Sequence, residues 1–350
     1  MDEYKVIGLM SGTSLDGLDI AYCEFRYANC QWDHTILYAE TIPYSEEWFE
    51  RLSGLPESTA AEFAAADHCF GHLLGRLSRE FIEKYDIKAD FIASHGHTVF
   101  HRPGKGFTSQ IGNGAAIKAE ATLPVICDFR SGDVALGGQG APLVPAGDRL
   151  LFSRYDFCLN LGGFANVSYD HQGDRIAFDI CPVNIVLNSL AGNAGLPYDK
   201  DGSLAAKGKV NDQLLEKLNS LPYYSQTGPK SLGKEWIDEI LRPLLESAEL
   251  TNEDILSTFC THIAHQIASQ TGTDDSKKLL ATGGGVNNKY LISQIRSLIK
   301  PQLIIPDLLT VNYKEALIFA FLGVLRRRNE INCLKTVTGA KQDGSFGAMY

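Results

Sequence analysis

The sequence lacks the marks of the commonest nucleotide and hydrolase sites. It contains no G-x-x-x-x-G-K-[ST] run, no G-x-S-x-G elbow and no H-E-x-x-H pair. A P-loop, an α/β-hydrolase nucleophile and a zincin metal centre are thereby excluded. Gly112-x-Gly114 has no third glycine and follows no clean strand, so a dinucleotide fingerprint is unsupported. Among the eight cysteines no C-x-x-C occurs, and most lie among apolar neighbours, as in Phe157-Cys158-Leu159. Reduced, buried thiols are expected. No basic-then-apolar leader opens the chain, and no run approaches the ~18 apolar residues of a membrane span. A cytoplasmic location without membrane contact is therefore expected. Basic charge is also scarce. Lys and Arg number 32 against 42 Asp and Glu, a net charge of −10, which argues against a nucleic-acid surface. The one basic run, Arg326-Arg327-Arg328, reads as a solvated helix end.

What is present suits two domains: 350 residues, of which 44% are hydrophobic. Three glycine-rich turns each follow a short apolar strand. The first is Gly8-x-x-x-Gly12-Thr13-Ser14-x-Asp16-Gly17, set between two strands rather than between a strand and a helix. The second is Gly162-Gly163-Phe164-Ala165-Asn166, and the third is Gly283-Gly284-Gly285. Glycine lets the main chain approach a bulky anion, and turn N–H groups with neighbouring hydroxyls cradle phosphate oxygens. Asp16 is a hard oxygen donor suited to Mg²⁺ or its waters. Two of the turns open separate halves of the chain. That pattern predicts two α/β lobes with a nucleotide in the cleft between them. The expected division is 1–133, with 331–350 packing back, and 134–330.

Other residues point to chemistry at strand ends. Asp179 closes Ala177-Phe178-Asp179, where an acid can serve as a general base. Arg130 follows the strand Val125-Ile126-Cys127 and can clamp an anion in two-pronged fashion. His95, His97 and His101 lie close together, and His262 and His265 have i, i+3 spacing. No cysteine or acid stands at ligand spacing around them, so polar roles in loops or on helix faces are favoured over zinc. A helix is expected from about 58 to 85, opened by a Thr59-x-x-Glu62 capping box.

These motifs resemble the anhydro-N-acetylmuramic acid kinases. Gly8-Leu-Met-Ser-Gly-Thr-Ser-Leu-Asp-Gly-Leu-Asp19 looks like the opening of that family. Ser94-His-Gly-x-Thr98, Gln110-Ile-Gly, Asp128-Phe-Arg130, Gly137-Gly-Gln-Gly-Ala-Pro-Leu-Val-Pro145, Asn160-Leu-Gly-Gly-x-Ala-Asn166 and Thr336-Val-Thr-Gly339-Ala follow in the family's order. The resemblance implies the two-lobed actin/hexokinase/Hsp70-like fold. It implies use of ATP and Mg²⁺, hydrolytic opening of the 1,6-anhydro ring of 1,6-anhydro-N-acetylmuramic acid, and phosphorylation of O6 in cell-wall recycling. Asp179 takes the family's general-base position. The ATP turn covers Gly12, Thr13, Ser14, Leu15, Asp16, Gly17, Leu18 and Asp19. Gly162, Gly163, Asn166, Gly283, Gly284 and Gly285 join it, with Asp16 as the metal ligand. Thr98, Arg130 and Glu315 fall near the sugar. Where most of the family has Asp-Thr-Gly-Pro-Gly-Asn, this chain has Asp179-Ile-Cys181-Pro-Val183-Asn184. Valine disfavours positive φ, so an altered local backbone is expected there. A kinase for another amino sugar and a nucleotide-binding regulator on the same fold remain the alternatives. A homodimer stays open.

Overall fold

The computed structural model describes residues 2–12, 15–226 and 228–350. Two compact units emerge: residues 1–152 together with 313–350, and residues 153–312.

The first unit is built on a sheet of seven strands among the described residues. These are β1 (Asp2–Ser11), β2 (Leu18–Ala28), β3 (Gln31–Ile42), β4 (Phe91–Arg102), β5 (Phe107–Ile111), β6 (Val125–Cys127) and β12 (Ala348–Met349). Their order is β12-β6-β4-β1-β2-β3, with β5 on β4. β1, β2 and β3 run antiparallel, whereas β1, β4 and β6 are parallel. Val6, Ile7 and Leu9 on β1 are fully buried, as a central strand covered on both faces requires. The helix Ala60–Tyr85 starts with the capping box at Thr59 and Glu62. It buries Ala66, Phe70, Leu74 and Phe81, and these share a hydrophobic core with Ile7, Leu9 and Ile20. The helix Leu308–Arg327 packs on β1: a Cβ on Gly8 would stand 2.0 Å from the Ala316 carbonyl oxygen. That helix is long and apolar enough to cross a membrane. It carries Lys314 and Glu315, however, and Ala316, Leu317, Ile318, Ala320, Phe321 and Leu322 are wholly buried, so it is a core helix.

The second unit has a five-stranded sheet among the described residues: β7 (Phe157–Leu161), β8 (Phe164–His171), β9 (Asp174–Pro182), β10 (Lys278–Thr282) and β11 (Gln302–Ile304). The order is β11-β10-β7-β8-β9. β7, β8 and β9 are antiparallel, and β7, β10 and β11 are parallel. Setting aside β5 and β12, both units therefore repeat one plan, an antiparallel three-strand meander joined on its first strand to two parallel strands. This is the doubled sheet of the actin/hexokinase/Hsp70-type fold.

Several details differ from the sequence reading. Residues 134–152 and 313–330 belong to the first unit rather than the second. The physical reason is packing. A Cβ on Gly147, in the helix Val144–Leu151, would lie 2.7 Å from the Ile318 side chain, and Ala316 closes on Gly8. His95, His97 and His101 are not in a loop, because β4 continues through them to pair with β5. The altered segment after Asp179 does carry an irregular backbone: the register of β8 on β9 shifts between the Asn166–Asp179 and Ala165–Cys181 pairs, and Val183 has φ −130° and ψ −100°, outside the usual strand and helix regions. Its φ is negative, so no left-handed residue is needed, and Cys181 and Val183 are fully buried in the core.

Candidate functional site

In the first unit the candidate phosphate turn joins Ser11, the last residue of β1, to Leu18, the first of β2, which is its register partner. Thr13 and Ser14 lie outside the described residues. The remainder is tightly specified. Leu15 has φ 58° and its N–H approaches the Gly12 carbonyl at 3.4 Å. A Cβ on Gly17 would stand 2.5 Å from the Ile42 carbonyl oxygen. Leu18 is a core residue with no exposed surface, and Asp16 is exposed. Asp19 accepts a 2.5 Å hydrogen bond from the Thr41 hydroxyl. Burial raises the Asp19 carboxyl, and the nearby charge of Asp16 adds to that rise. Behind the turn, the Tyr44 hydroxyl donates to Ser11 Oγ at 2.7 Å, and Ser11 lies 3.1 Å from His97 Nδ1. The His97 ring also bonds the Gly12 main chain, which anchors the turn from beneath.

Arg130 is the centre of a second cluster. Its Nε and one terminal nitrogen donate to His95 Nε2 at 3.1 and 2.8 Å, and the other terminal nitrogen donates to the Gly140 carbonyl at 2.6 Å. His95 Nε2 must therefore be an acceptor, and its Nδ1–H faces the Gly96 carbonyl at 2.9 Å. Burial, and then the Arg130 charge, hold this imidazole neutral, far below the usual histidine range. Burial also pushes Arg130 down to about 10. Of five guanidinium N–H groups three are used among the described residues, leaving one on each terminal nitrogen. Asp133, 1% exposed, organises the glycine loop that supplies Gly140. It accepts from Gly140 N–H at 2.7 Å, from Thr338 Oγ at 2.7 Å and from Cys333 Sγ at 3.1 Å. The Gly137–Pro145 and Thr336–Gly339 motifs are thus two sides of one scaffold beneath Arg130. Glu315 follows Lys314, whose ammonium pairs with the buried Asp148 at 2.7 Å. Burial raises the Glu315 carboxyl against the charges of Lys314 and Arg130. Thr98, three residues beyond His95 on β4, takes a 3.4 Å contact from Gln110 Nε2.

In the second unit, pairing across the sheet aligns Thr282, Asn160, Asn166 and Asp179 as direct partners on four neighbouring strands. Directly paired residues share a face, so the register gathers polar groups that are scattered in sequence. The glycines above them divide by role. A Cβ on Gly283, whose φ is +85°, would fall 2.4 Å from Asn160 Oδ1, and one on Gly285 would fall 2.8 Å from the Leu161 side chain. These two serve packing. Gly162, Gly163 and Gly284 meet nothing closer than 3.5 Å, so the main chain there stays open to a ligand. The carbonyls of Gly162 and Gly163 accept from the N–H groups of Val183, Asn184 and Ile185, which seats the turn on the start of the helix Asn184–Gly192. Asp179 is half-buried, and Leu232 N–H donates to its Oδ2 at 2.9 Å. Burial raises its carboxyl, and that N–H partly offsets the rise.

Sequence reasoning missed two participants, Tyr223 and Lys230, which contact Asp179 through bonds no motif announces, and it gave His95 a polar role without naming Arg130 as its partner. His262 is a structural residue: its Nδ1 donates to Asn219 Oδ1 at 2.7 Å and its Nε2 accepts from Tyr224 OH at 3.0 Å. Burial pushes it down to about 3. The unfolded chain takes up a proton there near pH 6.5 while the folded chain does not, so stability falls as pH drops below that value. The expected slope is up to about 1.4 kcal/mol per pH unit for this group. Urea unfolding at pH 7.0, 6.0 and 5.5 should show a shallower loss in His262→Gln by up to that amount.

With the geometry in place, comparison with known proteins gives a consistent answer. The family model for anhydro-N-acetylmuramic acid kinase matches residues 4–350. An anhydro-N-acetylmuramic acid kinase of Sulfurovum sp. is 34% identical over 366 aligned residues, covering 100% of both chains. One from Pseudomonas syringae pv. tomato is 36% identical, covering 99% of both. Among solved structures, the activator of 2-hydroxyisocaproyl-CoA dehydratase from Clostridium difficile aligns over 93% of this chain and 97% of its own, at 16% identity and a TM-score of 0.42.

Proposed function

The chain belongs to the anhydro-N-acetylmuramic acid kinase family, and from that premise we propose how its residues carry the reaction. The protein is an ATP-dependent kinase of 1,6-anhydro-N-acetylmuramic acid in peptidoglycan recycling. In the proposed chemistry water adds at C1, the C1–O6 bond breaks, and O6 takes the γ-phosphoryl group as ADP leaves. The products are N-acetylmuramic acid 6-phosphate and ADP. An ordinary glycosidase needs a second carboxylic acid to protonate the leaving oxygen. Here the phosphoryl group captures that oxygen, so one base is enough. Asp179 takes the water's proton. The observation that carries this assignment is its environment: a carboxyl raised by burial, with Oδ2 held by Leu232 N–H and the row of Asn160 and Asn166 beside it. A raised carboxyl is a stronger base once ionised.

Phosphoryl transfer needs mainly alignment and charge neutralisation. In the first unit the 12–19 turn suits phosphate oxygens, and in the second unit the main chain at Gly163 and Gly284 is open to an anion, while the Gly162 N–H is taken by the Phe164 carbonyl at 3.1 Å. Asp16 and Asp19 fit a Mg²⁺ site, because the Asp16 charge adds to the burial that raises the Asp19 carboxyl and Mg²⁺ takes one or two carboxylates alongside phosphate oxygens. When bound, Mg²⁺ neutralises charge on the phosphates. Arg130 directs its two remaining N–H groups at the lactyl carboxylate of the sugar, and Thr98 and Glu315 hold its hydroxyls. No disulfide joins the cysteines among the described residues, which suits the reducing cytoplasm, where we place the reaction.

ADP release tests the substrate. Strong stimulation is expected with 1,6-anhydro-N-acetylmuramic acid, and little with N-acetylmuramic acid or N-acetylglucosamine. Equal rates with and without the anhydro sugar would overturn the assignment.

A further inference from the structure

Asp179 lies on β9, an edge strand among the described residues, where no further described strand pairs with its outward main-chain groups. The Pro222–Ser225 turn and residues 230–232 take that place. Asp179 N–H donates to the Lys230 carbonyl at 3.0 Å, the Tyr223 hydroxyl donates to the Asp179 carbonyl at 2.6 Å, and Leu232 N–H donates to Oδ2 at 2.9 Å. Both main-chain groups of Asp179 and one carboxylate oxygen are therefore held by a single strap.

The strap is itself fastened at two points. Lys230 Nζ donates to the carbonyls of Tyr223 and Gln226, at 3.1 Å each, and sits 4.6 Å from the Tyr223 ring centroid and 5.9 Å from that of Phe178. It thus joins the turn to residues 230–232. Tyr224, next to Tyr223, bonds His262 on the buried helix Asn252–Thr271, and His262 bonds Asn219. Among the described residues the ammonium has no carboxylate partner, and burial lowers its proton affinity. Among those residues it neutralises no acid. What it does is gather main-chain carbonyls around the residue beside Asp179.

We infer that Tyr223 and Lys230 are positioning residues for the ring-opening step. They fix Asp179 so that Oδ2 is occupied by Leu232 N–H and Oδ1 is the atom presented to the attacking water. The inference rests on the assignment of Asp179 as the base. A general base acts only within hydrogen-bond reach of the proton it takes, and small displacements of such a group are costly to rate. Loosening the strap should therefore act on turnover and leave substrate binding alone.

The test uses the full chain with ATP and the anhydro sugar. Tyr223→Phe removes one hydroxyl, and Lys230→Met keeps the stem but removes the ammonium. Each is expected to lower kcat by about 10- to 100-fold, with both KM values and ADP affinity within about twofold of the parent. Lys230→Arg, which can still donate to two carbonyls, should recover most of the rate. A kcat within about twofold of the parent in both variants overturns the inference. So does a loss carried by KM or by a collapsed unfolding midpoint. Asp179→Asn is measured in parallel. If it stays active, the base assignment itself falls; if it is inactive while the strap variants are unimpaired, only the positioning role falls.

Discussion

Replacing Asp179 by asparagine is expected to reduce product formation by about 10²- to 10⁴-fold while ATP binding persists, the range a lost general base commonly produces. The substitution is nearly isosteric. The side-chain amide oxygen can still accept from Leu232 N–H, and the main-chain bonds to Tyr223 and Lys230 are untouched. What disappears is the group that can take a proton from water. The parent enzyme should also show an acidic limb in kcat/KM above the ordinary aspartate value, because burial raises this carboxyl. The limb has the sign of a base: activity falls as pH drops and Asp179 becomes protonated. ADP release across pH, together with calorimetric titration of ATP into Asp179→Asn, checks both statements. Near-normal turnover by the variant would remove Asp179 from the role.

Much of the candidate site was legible because phosphate recognition uses few residue types. Glycine turns after apolar strands, with hydroxyls in the first of them, mark 12–19 and 162–166 as candidates, and the strand-turn-strand setting separates them from P-loops. The long helix was legible from its capping box and its apolar spacing. Partnership across distance was not. Arg130 and His95 are 35 residues apart, and Asp179 and Leu232 are 53 apart. Neither pair has a spacing rule, because sheet register and loop return create the contact. The same limit misplaced the division between units. Gly8 reads as part of a turn motif, yet it and Gly147 are both small because a helix carbonyl or side chain closes on them. Val183 was legible in part. A β-branched residue where the resembled family has glycine signals a changed backbone, and its ψ of −100° is irregular, but nothing in the sequence announced that its side chain fills the core.

That division among glycines leads to a second large effect. Gly8→Ala should destabilise the fold by about 3 kcal/mol, in the upper range for overpacking. The added Cβ would stand 2.0 Å from the Ala316 carbonyl oxygen and 3.0 Å from the Ala320 Cβ, and the first is main chain in a buried helix that cannot swing aside. The helix would have to move off β1, and with it Lys314 and Glu315. Gly163→Ala should behave in the opposite way. Its nearest neighbour would be Ile185 Cβ at 3.9 Å, and its φ lies outside the left-handed region. Alanine fits there, so stability should change by no more than about 0.5 kcal/mol. If the turn cradles phosphate, however, the new methyl enters the space the nucleotide needs, and the KM for ATP should rise at least about tenfold, equivalent to about 1.4 kcal/mol of binding. Urea unfolding and ATP titration of the two variants separate a glycine kept for a helix from one kept for a ligand. An unchanged KM for ATP in Gly163→Ala would mean that the second turn, for all its openness, does not touch the nucleotide.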